Sequence, residues 1–403
     1  MGCDSKDTKV ISRDYSKMIT NIGNWVKDSD TKKITKIFID KGYEIYFVGG
    51  CVRDSLLGYP VTDIDMSTTA LPDSIMQIAK ANNLRAIPTG IKHGTVTIVN
   101  NNKPYQITTF RKDVTTDGRH ANVSYSNDII TDANRRDFTI NALYADADGN
   151  LIDPLKGVND LYSKIIKFIF NPKKRILEDN LRILRFFRFH AWYGDPSKSL
   201  DPDSLNACAY YKGKVATLSN ERVGTEMKKI MSAPNPISSL EAMNIAGVLE
   251  LVMPKASTNQ LSALLQLENK HQRGVHWTTR AAIMTSAELK NIWKVSKIDH
   301  KKLRNLQKLK ASKDKISKIS YLYGEEFSWQ YAILKYASLN KDIPNNICLE
   351  IKRGANALFP IKSCELINDF EGPELGKKIK ELQHAWINSN FSLTREELLN
   401  LTF

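Results

Sequence analysis

The stretch that most constrains this chain runs Tyr46-Phe47-Val48-Gly49-Gly50-Cys51-Val52-Arg53-Asp54-Ser55-Leu56-Leu57-Gly58 and continues to Asp63-Ile64-Asp65. Tyr46 to Val48 reads as a short apolar strand, Gly49-Gly50 breaks it, and Arg53 to Leu57 reads as the first turns of a helix. A strand, a glycine turn and a helix N-terminus make an anion site, because unpaired backbone N–H groups point out of the turn. The phosphates of a nucleotide fit such a site. After a turn at Gly58 to Pro60, period-two alternation along a strand puts Asp63 and Asp65 on one face and Ile64 on the other. Adjacent carboxylates repel unless a cation lies between them, and hard Mg²⁺ is held best by carboxylates together with substrate phosphates. The chemistry implied is metal-assisted phosphoryl or nucleotidyl transfer. A lone Gly-Gly is usually a turn and a lone Asp-x-Asp usually a solvated loop; their occurrence within one strand, turn, helix and strand unit is the specific signal.

That combined stretch resembles the class II tRNA nucleotidyltransferase and bacterial poly(A) polymerase family, a branch of the polymerase β-like nucleotidyltransferases. The resemblance implies an α+β N-terminal head, a mixed sheet with helices, followed by an all-α neck, body and tail. Along this chain it places the catalytic head at 1–160, a base-recognising neck at 161–235 and a tRNA-binding body and tail at 236–403. In the head, Pro72 to Asn83 reads as a helix, and Thr95 to Val99 with Tyr105 to Phe110 as a hairpin extending the sheet that holds the aspartates.

The chain's 403 residues are too many for one compact core. Its composition, 42% hydrophobic and 25% charged, is that of an ordinary globular protein. The formal net charge of +14 is less ordinary and favours polyanionic partners, without distinguishing RNA, DNA and anionic membrane. Cys3, Cys51, Cys208, Cys348 and Cys364 are odd in number and lack Cys-x-x-Cys spacing, which argues for a reducing compartment and against zinc or a disulfide framework. No apolar run approaches a membrane span, and Met1 to Lys6 lacks a signal peptide's apolar core, so a cytoplasmic location and no membrane partner are expected.

Further segments carry the resemblance. Pro88-Thr89-Gly90-Ile91-Lys92-His93-Gly94-Thr95-Val96 is similar to the corresponding stretch of CCA-adding enzymes, whereas the Gly-basic-basic-Phe pattern of the poly(A) branch is absent after the aspartates. Gln106 stands where many relatives carry a third acidic residue, which leaves Asp63 and Asp65 to hold the metal alone. Arg111 opens a polar segment, Lys112 to Asp132, expected to be a long binding loop without structure of its own. Arg135-Arg136-Asp137 reads as a helix start, and it resembles the family's Arg-Arg-Asp motif; with Gly49, Gly50, Arg53, Asp54 and Arg111 these residues are implied to hold the triphosphate and ribose.

Pro172 to Phe189 reads as one helix, with Ile176, Leu177, Leu181, Leu184 and Phe187 as its core stripe. On it, Asp179 and Arg182 stand at i and i+3, an ordinary surface pair by spacing alone. Glu178-Asp179-x-x-Arg182 resembles the family's amino-acid template. A carboxylate accepts from the amino group of C or A, and a guanidinium donates to the ring nitrogen, so Asp179 and Arg182, with Arg185 nearby, are implied to select those bases without a nucleic-acid template. Glu221-Arg222-x-x-x-Glu226 resembles the motif that braces this helix, so Glu178, Glu221, Arg222 and Glu226 are expected to support rather than touch the nucleotide, with Arg222 orienting Asp179.

Beyond about residue 235 helices are expected near 240–246, 259–267, 278–289, 299–309, 329–339 and 395–401, with a basic surface from Lys270 to Lys318 interleaved with Trp277 and Trp293. The implied activity is template-independent addition of CCA to the 3′ end of tRNA from CTP and ATP with Mg²⁺. An A-adding-only enzyme, a poly(A) polymerase, and an RNA-binding protein on a decayed scaffold remain alternatives. Oligomeric state is not legible.

Overall fold

The structure, a computed structural model, describes residues 22–116, 121–367 and 369–401. The chain divides into two compact units, one taking residues through Glu226 together with Ser238–Leu251, the other Met227–Ile237 together with Val252 onward.

The first unit contains a seven-stranded mixed sheet. Its strands are β1 (Ile45–Val48), β2 (Ile64–Thr68), β3 (Arg85–Gly90), β4 (Thr95–Asn100) and β5 (Lys103–Thr109), then, after a separate hairpin of β6 (Arg111–Thr116) and β7 (Ala121–Tyr125), the short β8 (Tyr144–Ala145) and β9 (Leu151–Ile152). The order is β3-β4-β5-β2-β1-β8-β9, with β2 and β5 parallel. Val96, Ile98, Tyr105 and Ile107 are buried on one face, whereas Thr95 and Thr108 meet on the other through their hydroxyls at 3.0 Å. This alternation fixes the register. Around the sheet lie α1 (Ser29–Ile39), α2 (Gly50–Leu56), α3 (Pro72–Ala81), α4 (Ile129–Asn134) and α5 (Gly157–Tyr162). Val48, Phe110, Ala133, Ala142, Tyr144 and Ile169 form one core cluster.

Two expectations change here. The polar segment Lys112 to Asp132 is not a structureless loop: β6 and β7 pair with Arg111 opposite Tyr125, and Asp128 then caps α4 by accepting from Ile130 and Thr131 N–H, both at 3.0 Å. The Asp117 to His120 part of that segment lies outside the described residues, as do Met1 to Lys6. Arg135 and Arg136 stand at the end of α4 and not at a helix start, a position where the helix dipole favours cations.

The helices that follow are α6 (Pro172–Glu178), α7 (Arg182–Tyr193), α8 (Pro202–Tyr210), α9 (Asn220–Met231), α10 (Ile237–Ile245) and α11 (Leu249–Val252). The single helix expected over Pro172 to Phe189 is therefore two. Asp179 breaks it, with φ −151° and ψ 107°, for reasons that lie in the site.

The second unit is helical: α12 (Leu261–Lys270), α13 (Trp277–Met284), α14 (Lys297–Leu309), α15 (Ile316–Tyr323), α16 (Glu325–Ser338), α17 (Ile347–Ala355), α18 (Gly372–Asn388) and α19 (Arg395–Asn400). α15, α17 and α18 were not anticipated from sequence. Arg280 and Glu268 are both buried and paired at 2.7 Å, and Arg280 also donates to the Met231 and Ala233 carbonyls. Trp293, expected on a basic surface, is fully buried, and its indole N–H donates to the Val252 carbonyl at 2.7 Å. A buried indole needs such a partner.

Candidate active site

Asp63 lies just ahead of β2 and Asp65 within it. Asp65 sits opposite Gln106 of β5 in the parallel register, so an amide occupies the neighbouring position where a third carboxylate would stand. Burial pushes the Asp65 carboxyl above the usual range; Arg136 opposes this and Asp63 adds to it. Two like charges thus bear on each other across one strand. The described residues contain no cluster of three acidic, His or Cys groups able to hold a metal. The Asp63–Asp65 pair supplies part of an oxygen shell and fits a hard divalent ion whose other ligands come from phosphates and water.

β1 delivers the chain to the glycine turn. Gly49 has φ +74° and ψ −118°, a region glycine occupies without strain. Its N–H bonds the Leu143 carbonyl at 2.9 Å, so the donors left facing outward belong to the start of α2 at Gly50 and Cys51. A Cβ on Gly49 would come 3.6 Å from Arg136 Nη1. The turn and the arginine pair are therefore adjacent.

Asp132, a residue not singled out from sequence, holds that pair. Its side chain is fully buried and accepts from Arg135 Nε at 2.8 Å, Arg136 Nη2 at 3.0 Å, Tyr144 OH at 2.8 Å and Ser67 Oγ at 3.4 Å. Burial disfavours its charge, but the guanidinium groups of Arg136 and Arg135 and the Tyr144 hydroxyl outweigh that and hold its carboxyl well below the usual range. The i+3 and i+4 spacing to the arginines was the available signal.

Arg53 is buried. It pairs with Asp54 through Nε and Nη2, donates to Asn141 Oδ1 at 2.6 Å and to Tyr193 OH at 2.7 Å, and its guanidinium carbon lies 4.1 Å from the Tyr193 ring centre. Asn141 passes the connection on, donating to Asp137 Oδ1 at 3.0 Å. Asp137 also accepts from Arg185 Nε at 2.7 Å; burial raises its carboxyl, yet Arg185 and the Asn141 amide bring it well below the usual range. One hydrogen-bonded chain thus runs from α2 to α7. Arg111 opens β6.

At the α6–α7 break, Asp179 Oδ1 accepts from Leu181 N–H at 3.1 Å and its carbonyl from Arg182 N–H at 3.0 Å. Local bonding of this kind competes with a continuous helix. Arg222 of α9 secures it, with Nη2 at 2.9 and 2.7 Å from the two carboxylate oxygens. Arg182 donates to Glu178 Oε2 at 2.6 Å and to the carbonyls of Arg175 and Arg135, both at 3.0 Å. Among the described residues its Nε–H and one Nη2–H have no acceptor, which leaves them for a ligand. Glu178 also pairs with Arg175, and Glu226 with Arg188 at 3.2 Å. Glu221 is exposed, and its carbonyl accepts from Thr225 Oγ1 at 2.8 Å.

A mixed sheet carrying paired aspartates beside a glycine turn and an arginine pair defines a nucleotidyltransferase head. Residues 45–167 match the family described as the poly A polymerase head domain, and residues 199–259 the one described as the probable RNA and SrmB-binding site of polymerase A. The chain is 31% identical over 390 residues to the human mitochondrial CCA tRNA nucleotidyltransferase 1, covering 92% of this chain and 88% of that one. It is 31% identical over 367 residues to the CCA-adding enzyme of Streptococcus gordonii, covering 87% and 90%. In fold it is similar to the Bacillus stearothermophilus CCA-adding enzyme solved with CTP, at a TM-score of 0.73 and 24% identity over 93% of this chain and 97% of that one. The chain belongs to the CCA-adding tRNA nucleotidyltransferase family.

Proposed function

We propose that this protein builds or repairs the CCA end of tRNA from CTP and ATP without a nucleic-acid template, releasing pyrophosphate. The observation that carries the reading is the convergence, in one unit, of Asp63 and Asp65, the Gly49 turn and the Asp132-held arginines. Kinship with proteins named for CCA addition over most of the chain supports it.

Asp63 and Asp65 would hold Mg²⁺, which when bound favours ionisation of the primer's 3′-hydroxyl and offsets charge on the phosphates. The N–H groups at the start of α2, with Arg135 and Arg136, receive the triphosphate. Arg53, Asp54 and Asn141 brace the turn, and Asp137 with Arg185 joins it to α7. The primer oxygen bonds to the α-phosphorus as the bond to pyrophosphate breaks. Asp179 accepts from the amino group of C or A and Arg182 donates to the ring nitrogen; U and G present the opposite pattern at those positions. Arg222 and Glu178 hold the two in place.

Asp65→Ala should lose incorporation of both labelled CTP and labelled ATP into tRNA lacking CCA, with tRNA affinity unchanged. Incorporation by the variant, or a loss of tRNA binding that accounts for its inactivity, contradicts the metal role.

A further inference from the structure

The first unit carries an exposed aromatic ring with one lysine amine beside it and two more lysines in the turn that follows. Tyr210 ends α8 with 75% of its surface exposed and stands edge-on to Tyr211, ring centres 4.8 Å apart. Lys173, in the first turn of α6, places its amine 5.4 Å from the Tyr210 ring centre. The 3₁₀ turn Lys212–Thr217 adds Lys212 and Lys214. Lys212 lies across Gly247, where a Cβ would come within 2.6 Å of Nζ.

Single exposed aromatics are common and are not sites in themselves. What distinguishes this one is its charge setting: the chain contains no acidic residue from Asn171 to Leu177 or from Ser204 to Ser219. Lys173, Lys212 and Lys214 are exposed, and none forms an ion pair among the described residues. An exposed ring with an unneutralised amine beside it and two more in the adjoining turn has the chemistry of a stacking platform for single-stranded nucleic acid, bases on the ring and phosphates on the amines. The surface is also joined to the base-selecting break. α6 carries Lys173 in its first turn and ends at Glu178, next to Asp179, and Asn180 Nδ2 donates to Thr217 Oγ1 at 3.1 Å. It falls partly within the region that matches the RNA-binding family.

We propose that Tyr210, with Lys173, Lys212 and Lys214, is a stacking platform for the unpaired 3′ end of tRNA. The proposal rests on the tRNA reading above. Stacking tolerates any base, which suits an end whose last nucleotide changes with each addition.

The test measures fluorescence anisotropy of the full chain with a 5′-labelled tRNA ending at the unpaired nucleotide before CCA, and with the same tRNA trimmed to a blunt acceptor stem. Nucleotide incorporation is followed in parallel. Tyr210→Ala should weaken the overhanging tRNA roughly tenfold and leave the blunt one unchanged, while Tyr210→Phe binds both as the wild type does. Lys212→Ala with Lys214→Ala should lower the slope of log affinity against log salt by about 0.7 per lost contact. Equal losses on both RNAs would place the surface on the duplex and overturn the proposal, as would undiminished binding by Tyr210→Ala. A wild-type chain that incorporates neither nucleotide contradicts the parent reading, whatever the anisotropy shows.

Discussion

Arg222 Nη2 lies within hydrogen-bonding distance of both carboxylate oxygens of Asp179, across 43 positions of sequence. With the Leu181 N–H on Oδ1, this contact holds the orientation of the carboxylate. Arg222→Ala should therefore impair base choice without removing any group of the reacting centre. Removing this charge-assisted contact, worth about 1.5–3 kcal/mol in all, predicts a roughly tenfold to hundredfold fall in kcat/KM for CTP and ATP, with UTP incorporation rising relative to both. Competition between CTP and UTP on one transcript measures it; an unaltered ratio contradicts the orienting role.

Asp132→Asn keeps the shape of a buried side chain and removes the charge that both arginines share. The KM for CTP and for ATP should rise about tenfold, with the KM for tRNA little changed, and stability should fall by about 3–5 kcal/mol because charged partners are left buried. Steady-state kinetics and urea titration read the two effects separately. A rise confined to the tRNA KM would contradict the link to the triphosphate.

The strand and the glycine turn are legible because their signals are local, whereas Asp63 precedes β2 instead of alternating with Asp65 along it. The break at Asp179 is not legible. The apolar stripe from Ile176 to Phe187 fits a continuous helix, and the group that stabilises the break, Arg222, lies on another helix. By sequence Arg53 reads as a phosphate ligand beside the glycines, and nothing local shows that Asn141 and Tyr193, both distant in sequence, engage it. The Trp293 environment was likewise hidden, since an interleaved basic segment looks the same whether its aromatic faces water or the Val252 carbonyl.

His190 is buried with Nδ1 2.8 Å from Ser239 Oγ, and burial pushes its pKa down to about 4. Between the unfolded value near 6.5 and that lower one, the unfolded chain binds a proton that the folded chain does not. Stability contributed above about pH 6.5 is thus lost as pH falls toward 4, amounting to roughly 2 kcal/mol between pH 7 and pH 5. Urea midpoints at the two pH values should show this in the wild type and less of it in His190→Gln; equal slopes contradict the assignment.

In the second unit, Arg280→Ala leaves Glu268 buried without its partner and should cost about 3–5 kcal/mol. Arg280→Met with Glu268→Leu should recover most of that loss. Thermal unfolding distinguishes the variants, and a double variant no more stable than the single one would contradict a desolvation origin.

The most direct test of the account is extension at single-nucleotide resolution, using tRNA transcripts that end before CCA, after C and after CC, each with CTP, ATP or both. Two C additions, one A addition and then a stop are predicted. Addition of A alone to the CC-ending transcript, or an A tail that does not stop, would contradict complete CCA addition.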